Sequence, residues 1–554
     1  MSFLIAEPQA LVGVATNIEA IGSSLATANS AAASEISGIA SAAADEVSTA
    51  IAEVFGRYGQ EFQSAFAQVQ AYHSQFQQSL TSAANAYASA EASIATSLQQ
   101  LLGLTPYTPP NLQPGVVPPF AANDVSIFIG GTGVPIPSQS FVTKANNLYV
   151  RSALTLQSLV TPEQLYPITG VRSMPLDTSV QEGITILENT LYDQIVTQGN
   201  SVTVFGISQS AIISSLLMRN IAAGTSIFGA TPPDPSMLNF VLTGNEMNPN
   251  GGMLSRFPGL NLASLGLTFY GATPADTIYP VANYTLEYDG FADFPRYPIN
   301  LLADLNAIMG IVYVHTTYLD LTPAQIDGAL QLPTSPGYTG NTTYYMIRTE
   351  NLPLLEPLRA IPVIGNPLAN LFQPTAKVLV NLGYGDPNYG FSTSYADVPT
   401  PFGFLPDIPP QVIGDALVAA GQQGVADFTR DIQALASQPV TLPTFALPSQ
   451  TGFANTAVQL PTPEKIVNTT ASIISTDYGV LLPTADILLS LVTALPLYNT
   501  QLFLTQLAAG NLVNAFAYPL VADLGLASIA GGVEFLVLVE ALANNVQDLQ
   551  ALFA

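Results

Sequence analysis

The chain has 554 residues, too many for one ordinary domain, and 48% of them are hydrophobic, so a large core is within reach. Only 9% are charged and the formal net charge is −26, which excludes a nucleic-acid binder and disfavours an anionic lipid surface, since both need many Lys and Arg. There is no Cys and there are two His, which excludes disulfides and thiolate metal sites and leaves no expectation of a metal or a cofactor.

Residues 1–95 are rich in Ala and Ser, and their first basic residue is Arg57, so the opening lacks the basic n-region of a Sec signal peptide. The pattern predicts a helical hairpin. Pro8 suits a first helical turn, Ser37-Gly38 is a plausible break, and Asp45 and Glu46 favour the start of a second helix, where the dipole welcomes anions. Phe55, Phe62, Val69 and Phe76 recur every seven residues, with Phe66, His73, Leu80 and Tyr87 as the companion row. Two helices alone cannot bury such a stripe, so a helical partner is expected, with His73 on the apolar face as a packing or partner contact.

Residues 96–123 hold a Pro cluster (Pro106, Pro109, Pro110, Pro114, Pro118, Pro119) and read as a stiff linker. From residue 124 short β-rich runs alternate with helical patterns, which predicts an α/β domain with a mainly parallel sheet over 124–390. Its first strand, Val125–Ile129, ends in Gly130-Gly131-Thr132-Gly133. The run Ser201–Phe205 is the next telling strand, followed at once by Gly206-Ile207-Ser208-Gln209-Ser210 and an apolar helix from Ala211. Strand, Gly-x-Ser-x-small, helix is the nucleophile elbow of a serine hydrolase, with Ser210 where Gly is usual. Ser208 is the candidate nucleophile, and the N–H groups of Thr132 and Gln209 are the candidate oxyanion donors.

The base must be His315, the other His of the chain, which follows Ser208 as the order Ser, acid, His requires. For the acid, Thr285–Tyr288 reads as a short strand leading into Asp289-Gly290-Phe291-Ala292-Asp293-Phe294-Pro295. Asp293 is the first choice, Asp289 the second. Asp234, between two Pro, suggests a turn, and Glu246 is an outside candidate. Residues 391–554 carry apolar helical patterns, an extension of the hydrolase or a lid over it. The charge-free stretch between Asp486 and Asp523 is interrupted by Pro and amides and reads as amphipathic or buried helices rather than a membrane span.

Residues 1–95 resemble the PE domain of the mycobacterial PE family, through Met1–Ala6, Ala44–Ser48, Phe76–Leu80 and Ala86–Glu91, although Pro8-Gln9 stands where that family has Pro-Glu. The resemblance implies pairing with a PPE-type partner in a four-helix bundle, and export by the type VII machinery to the cell envelope or surface, with Tyr87 and Glu91 as the export signal. Residues from about 125 to 390 resemble the PE-PPE domain, a serine hydrolase module related to cutinases, through Gly130-Gly131-Thr132, Gly206–Ser210, Asn248–Gly252, Tyr288–Pro295 and the surroundings of His315. Related cutinases often have Gly-Asp-Pro where this chain has Gly244-Asn245-Glu246. The expected function is a secreted esterase or lipase cleaving fatty-acyl esters through an acyl-enzyme. The alternatives are an acyltransferase passing the acyl group to a sugar or lipid hydroxyl, and a non-catalytic envelope protein built on the hydrolase scaffold.

Overall fold

The structure, a computed structural model, describes scattered residues within 23–70, residues 112–115, 117, 119–437 and 462–553. The chain divides into two compact units, Met1–Thr105 and Pro106–Ala554. In the first, described residues within 23–36 and 46–70 are helical. Asp45 caps the second stretch by accepting the Ser48 N–H at 2.8 Å, and Asn29 and Gln63 exchange amide hydrogen bonds of 2.8 and 3.1 Å. Phe55 and Phe62 of the heptad stripe are exposed. His73, Tyr87 and Glu91 lie outside the described residues.

The second unit is built on one eight-stranded sheet. In chain order its strands are β1 (Gln113–Pro114), β2 (Val125–Ile129), β3 (Thr155–Leu159), β4 (Val202–Ile207) and β5 (Leu238–Thr243); after the small hairpin β6 (Asn261–Leu262) and β7 (Leu267–Thr268) come β8 (Val281–Leu286), β9 (Leu330–Gln331) and β10 (Thr342–Ile347). The spatial order is β1-β9-β10-β8-β5-β4-β2-β3, parallel from β10 through β3 and antiparallel at β9 and β1. The Pro-rich segment expected as a linker thus lends Gln113–Pro114 to the sheet edge, where a Pro is tolerated because its missing N–H breaks no central ladder.

The central strands read as continuous apolar runs because both faces are covered. Ile127, Val204, Phe240 and Leu242 face one core with the helices Leu176–Tyr192 and Gln209–Ala222. Phe128, Phe205, Val241 and Tyr284 face the other with Val142 and Tyr149. The direction of winding reverses between β2, whose chain continues to β3 on one side, and β4 on the other. In an open parallel sheet that reversal opens a crevice at the carboxyl ends of the two strands. The loops after β2 and β4 carry Gly130–Gly133 and Ser208.

Beyond residue 390 the helix Pro410–Ser437 packs on Gly365–Asn381, and the helices Pro463–Val492, Ala494–Ala508 and Leu512–Phe553 pack on one another. The last crosses Leu301–Tyr313 closely, with Gly532 against Ile308 and Ser528 donating to Asp304 at 3.0 Å. Pro463–Ala508 and Leu512–Leu552 are each long and apolar enough to cross a membrane by length and composition, with a mean hydropathy of 1.9. They are less buried than expected: Leu481, Val492, Leu497, Phe516 and Leu520 are exposed, while their opposite faces join the main core through Tyr498, Val521, Ala522 and Leu526.

Candidate active site

The chain enters the site through a strained turn. Ser208 has φ 56° and ψ −126°, a conformation that costs a non-glycine residue about 1–3 kcal/mol and persists only where the surroundings enforce it. Three neighbours do so. A Cβ on Gly206 would sit 2.9 Å from the Ser210 carbonyl oxygen, so only glycine fits there. The Ser210 hydroxyl, standing where hydrolases usually have Gly, accepts the Ile207 N–H at 2.7 Å and closes the bend from inside. The Ser208 N–H donates to Thr243 O at 3.0 Å, anchoring the elbow to β5.

Ser208 and His315 meet: His315 Nε2 lies 2.9 Å from Ser208 Oγ. His315 begins a short 3₁₀ turn directly after the helix Leu301–Tyr313, and its ring stands edge-on to Phe291, centroids 4.9 Å apart. Behind it, Nδ1 faces both carboxylate oxygens of Asp289 at 2.8 Å. Asp289 also accepts the Tyr318 hydroxyl at 2.7 Å and the N–H groups of Phe291 and Ala292 at 3.0 and 3.3 Å. The loop after β8 thus wraps one carboxylate with backbone donors. Burial works against an imidazolium here, but the facing Asp289 outweighs it and holds His315 above its ordinary pKa.

Asp289, the second choice for the acid, is thus the one that faces the imidazole, and Asp293, the first choice, does not. Its carboxylate turns away from the imidazole and accepts the Tyr288 N–H at 3.0 Å. Its own N–H donates to Asp289 O at 2.6 Å, so it forms the second layer of the same loop. Burial pushes its pKa well above the ordinary carboxyl range, with fully buried Arg256 nearby. Asp234 sits in the exposed turn expected of it, bonded to Ser236. Asn245 does not face the imidazole, and Glu246 does something the sequence did not announce: its Oε1 lies 3.0 Å from Ser208 Oγ.

The Gly130–Gly133 loop presses on Ser208, since a Cβ on Gly131 would lie 2.9 Å from the Ser208 Cβ. Gln209, the first residue of the elbow helix, ties this loop in place: its amide donates to Thr132 Oγ1 at 3.1 Å and to Gln164 O at 2.9 Å, and accepts from Ser179 at 2.7 Å. Gly133 N donates to Glu163 O at 2.8 Å, a second brace. Glu163 is itself buried beside this loop, which pushes its pKa up to about 8. A cavity of about 620 Å³ opens from Ser208, walled by Leu176, Phe269, Ile308, Leu526, Ile529 and Val533. The last three come from the Leu512–Phe553 helix, so this C-terminal helix supplies part of the apolar wall of the site. Among the described residues no cluster of three His, Asp or Glu is disposed to hold a metal.

A parallel sheet with a Ser elbow after a central strand, a glycine loop after its neighbour, and a Ser-His-Asp hydrogen-bonded line at the winding reversal defines the α/β-hydrolase class. The chain belongs to the PE family and carries a PE-PPE domain: the PE family model matches residues 4–94 and the PE-PPE domain model residues 153–385. Its relatives include the PPE family protein PPE28 of Mycobacterium tuberculosis, 47% identical over 78% of this chain and 68% of that one. The esterase PE16 of the same organism is 41% identical over 76% of this chain and 77% of its own length. The PE family protein PE3, also of that organism, is 42% identical over 76% and 87% respectively.

Proposed function

We propose that the protein is a serine esterase or lipase that cleaves fatty-acyl esters through an acyl-enzyme on Ser208. The observation that carries the reading is the unbroken line from Ser208 Oγ to His315 Nε2 and from Nδ1 to Asp289, opening on an apolar cavity. His315 takes the hydroxyl proton as Ser208 attacks the acyl carbonyl, and Asp289 holds the tautomer and stabilises the imidazolium. The N–H groups of Gln209 and Thr132 receive the oxyanion. His315 then passes the proton to the leaving alcohol, and water releases the acid by the same route. The esterase relative supports this reading.

A fluorophosphonate tests it. Rapid stoichiometric labelling on the peptide containing Ser208, together with hydrolysis of p-nitrophenyl acyl esters, is expected; a protein that neither labels nor hydrolyses any ester would leave the fold as a scaffold. The wall predicts the acyl preference. Val533→Trp fills the cavity, so kcat/KM for a long-chain ester should fall about tenfold or more while a short-chain ester is spared, measured on paired acetate and palmitate esters.

For the N-terminal module we propose pairing with a PPE-type helical partner and export by the type VII machinery to the cell envelope or surface. PE family membership and the exposed Phe55 and Phe62 support it. Retention of a Tyr87→Ala or Glu91→Ala protein inside the cell, against release of the parent chain, is the test.

A further inference from the structure

We propose that Glu246 is a positioning residue for Ser208: as a neutral carboxylic acid it donates a hydrogen bond to Oγ and so directs the serine proton to His315. The inference rests on the reading of Ser208 as the nucleophile and adds a fourth side chain to that site.

The argument is a count of protons. Among the described residues Ser208 Oγ has two hydrogen-bonding neighbours, His315 Nε2 at 2.9 Å and Glu246 Oε1 at 3.0 Å, and it has one proton to give. His315 Nδ1 faces an acceptor already wrapped by donors, so Nδ1 carries a proton. With a neutral imidazole, Nε2 is then an acceptor. If Glu246 is also an acceptor, the two compete for a single proton, and a serine donating to Glu246 is turned away from its base. If Glu246 is protonated, both contacts are hydrogen bonds at once: Glu246 donates to Oγ and Oγ donates to Nε2. The Glu246 proton stays where it is throughout; the serine proton alone moves to His315, and the Glu246 bond follows Oγ as it becomes the ester oxygen.

The surroundings favour the neutral acid. Glu246 is buried, and its Oε2 has no hydrogen-bond partner among the described residues. An unpaired buried oxygen is tolerable on a neutral carboxyl and costly on an anion. The ionisable groups facing it are His315, which favours the anion, and Asp289 and buried Glu163, which oppose it. Burial is the largest influence and carries Glu246 up to about 7.

The local sequence is spent on holding this side chain. Asn245 donates to Thr273 and Asn283 at 2.8 and 3.0 Å and accepts the Met247 N–H at 3.0 Å; Asn283 in turn donates to Asn248 at 3.2 Å. Leu254 N donates to Glu246 O at 3.0 Å, and Gly252 packs on that carbonyl where no Cβ fits. The Gly244-Asn245-Glu246 departure from the related Gly-Asp-Pro therefore has a chemical consequence: Asn245 is structural, and Glu246 is delivered to the nucleophile.

The test is the rate of fluorophosphonate labelling of the full-length protein between pH 5 and 9, for wild type, Glu246→Gln and Glu246→Leu. Wild type should give a bell, rising as His315 loses its proton and falling about tenfold as Glu246 ionises above about pH 7. Glu246→Gln keeps a neutral donor and should lose the alkaline fall; Glu246→Leu loses the donor and should label about tenfold more slowly than Glu246→Gln at pH 7. Superimposed profiles for wild type and Glu246→Gln, or equal rates for Gln and Leu, overturn the inference alone. Should neither variant fold, a wild-type rate that stays level from pH 7 to 9 overturns it. A wild type that labels at no pH strikes down the nucleophile reading and this inference with it.

Discussion

Asp289→Asn is expected to lower kcat for ester hydrolysis about ten-thousandfold with little change in KM, the size of effect seen when a hydrolase histidine is left in the wrong tautomer. The cause is local. Asp289 accepts the Nδ1–H through both oxygens at 2.8 Å, and an amide there presents a donor to the ring. The imidazole then turns its lone pair toward position 289 and its N–H toward Ser208, and the base is lost. Asp293→Asn should keep activity within a few-fold, because the amide oxygen still accepts the Tyr288 N–H. Steady-state kinetics on the two variants side by side separates the residues, and equal losses would contradict the assignment.

Arg256→Ala is expected to cost about 3–5 kcal/mol of stability, read as a lower urea midpoint with unchanged ester specificity in the folded fraction. Arg256 is fully buried. Its Nε donates to Phe294 O at 3.0 Å and its Nη1 to Thr400 O at 2.5 Å, joining the Asp289–Pro295 loop to the segment that carries Phe402. Alanine leaves those carbonyls unpaired and a void where a fully buried side chain stood. One guanidinium nitrogen, Nη2, has no partner among the described residues, so part of the arginine's value is packing. Arg256→Met should therefore recover a measurable share of the loss.

Which parts of this were legible in the sequence follows from the range of each interaction. The strand Val125–Ile129 and the elbow Gly206–Ser210 are local: apolar runs, a glycine and a bend that only small residues allow, each visible within ten residues. Pairing Ser208 with His315 needed no more than the scarcity of His. The choice between Asp289 and Asp293 was not legible, because both lie in one loop after β8 and their directions depend on its fold. Asp289 points to the ring because Phe291 N and Ala292 N turn back onto it; Asp293 points inward because Tyr288 N does. Glu246 was illegible for a stronger reason. Its contact with Ser208 spans 38 residues and depends on a buried amide network among Asn245, Asn248 and Asn283, residues whose pattern resembles an ordinary polar loop. The C-terminal helices read as apolar, but their share in the cavity wall depends on a helix crossing set by Gly532 against Ile308.

The most direct measurement is an acid-quenched reaction with a slowly released p-nitrophenyl ester, followed by peptide mapping of the intact chain by mass spectrometry. A single acyl group on Ser208, appearing at the rate of the nitrophenol burst and lost at the steady-state turnover rate, is the predicted result. Ester turnover with no acyl adduct, or with the adduct on another side chain, would contradict it.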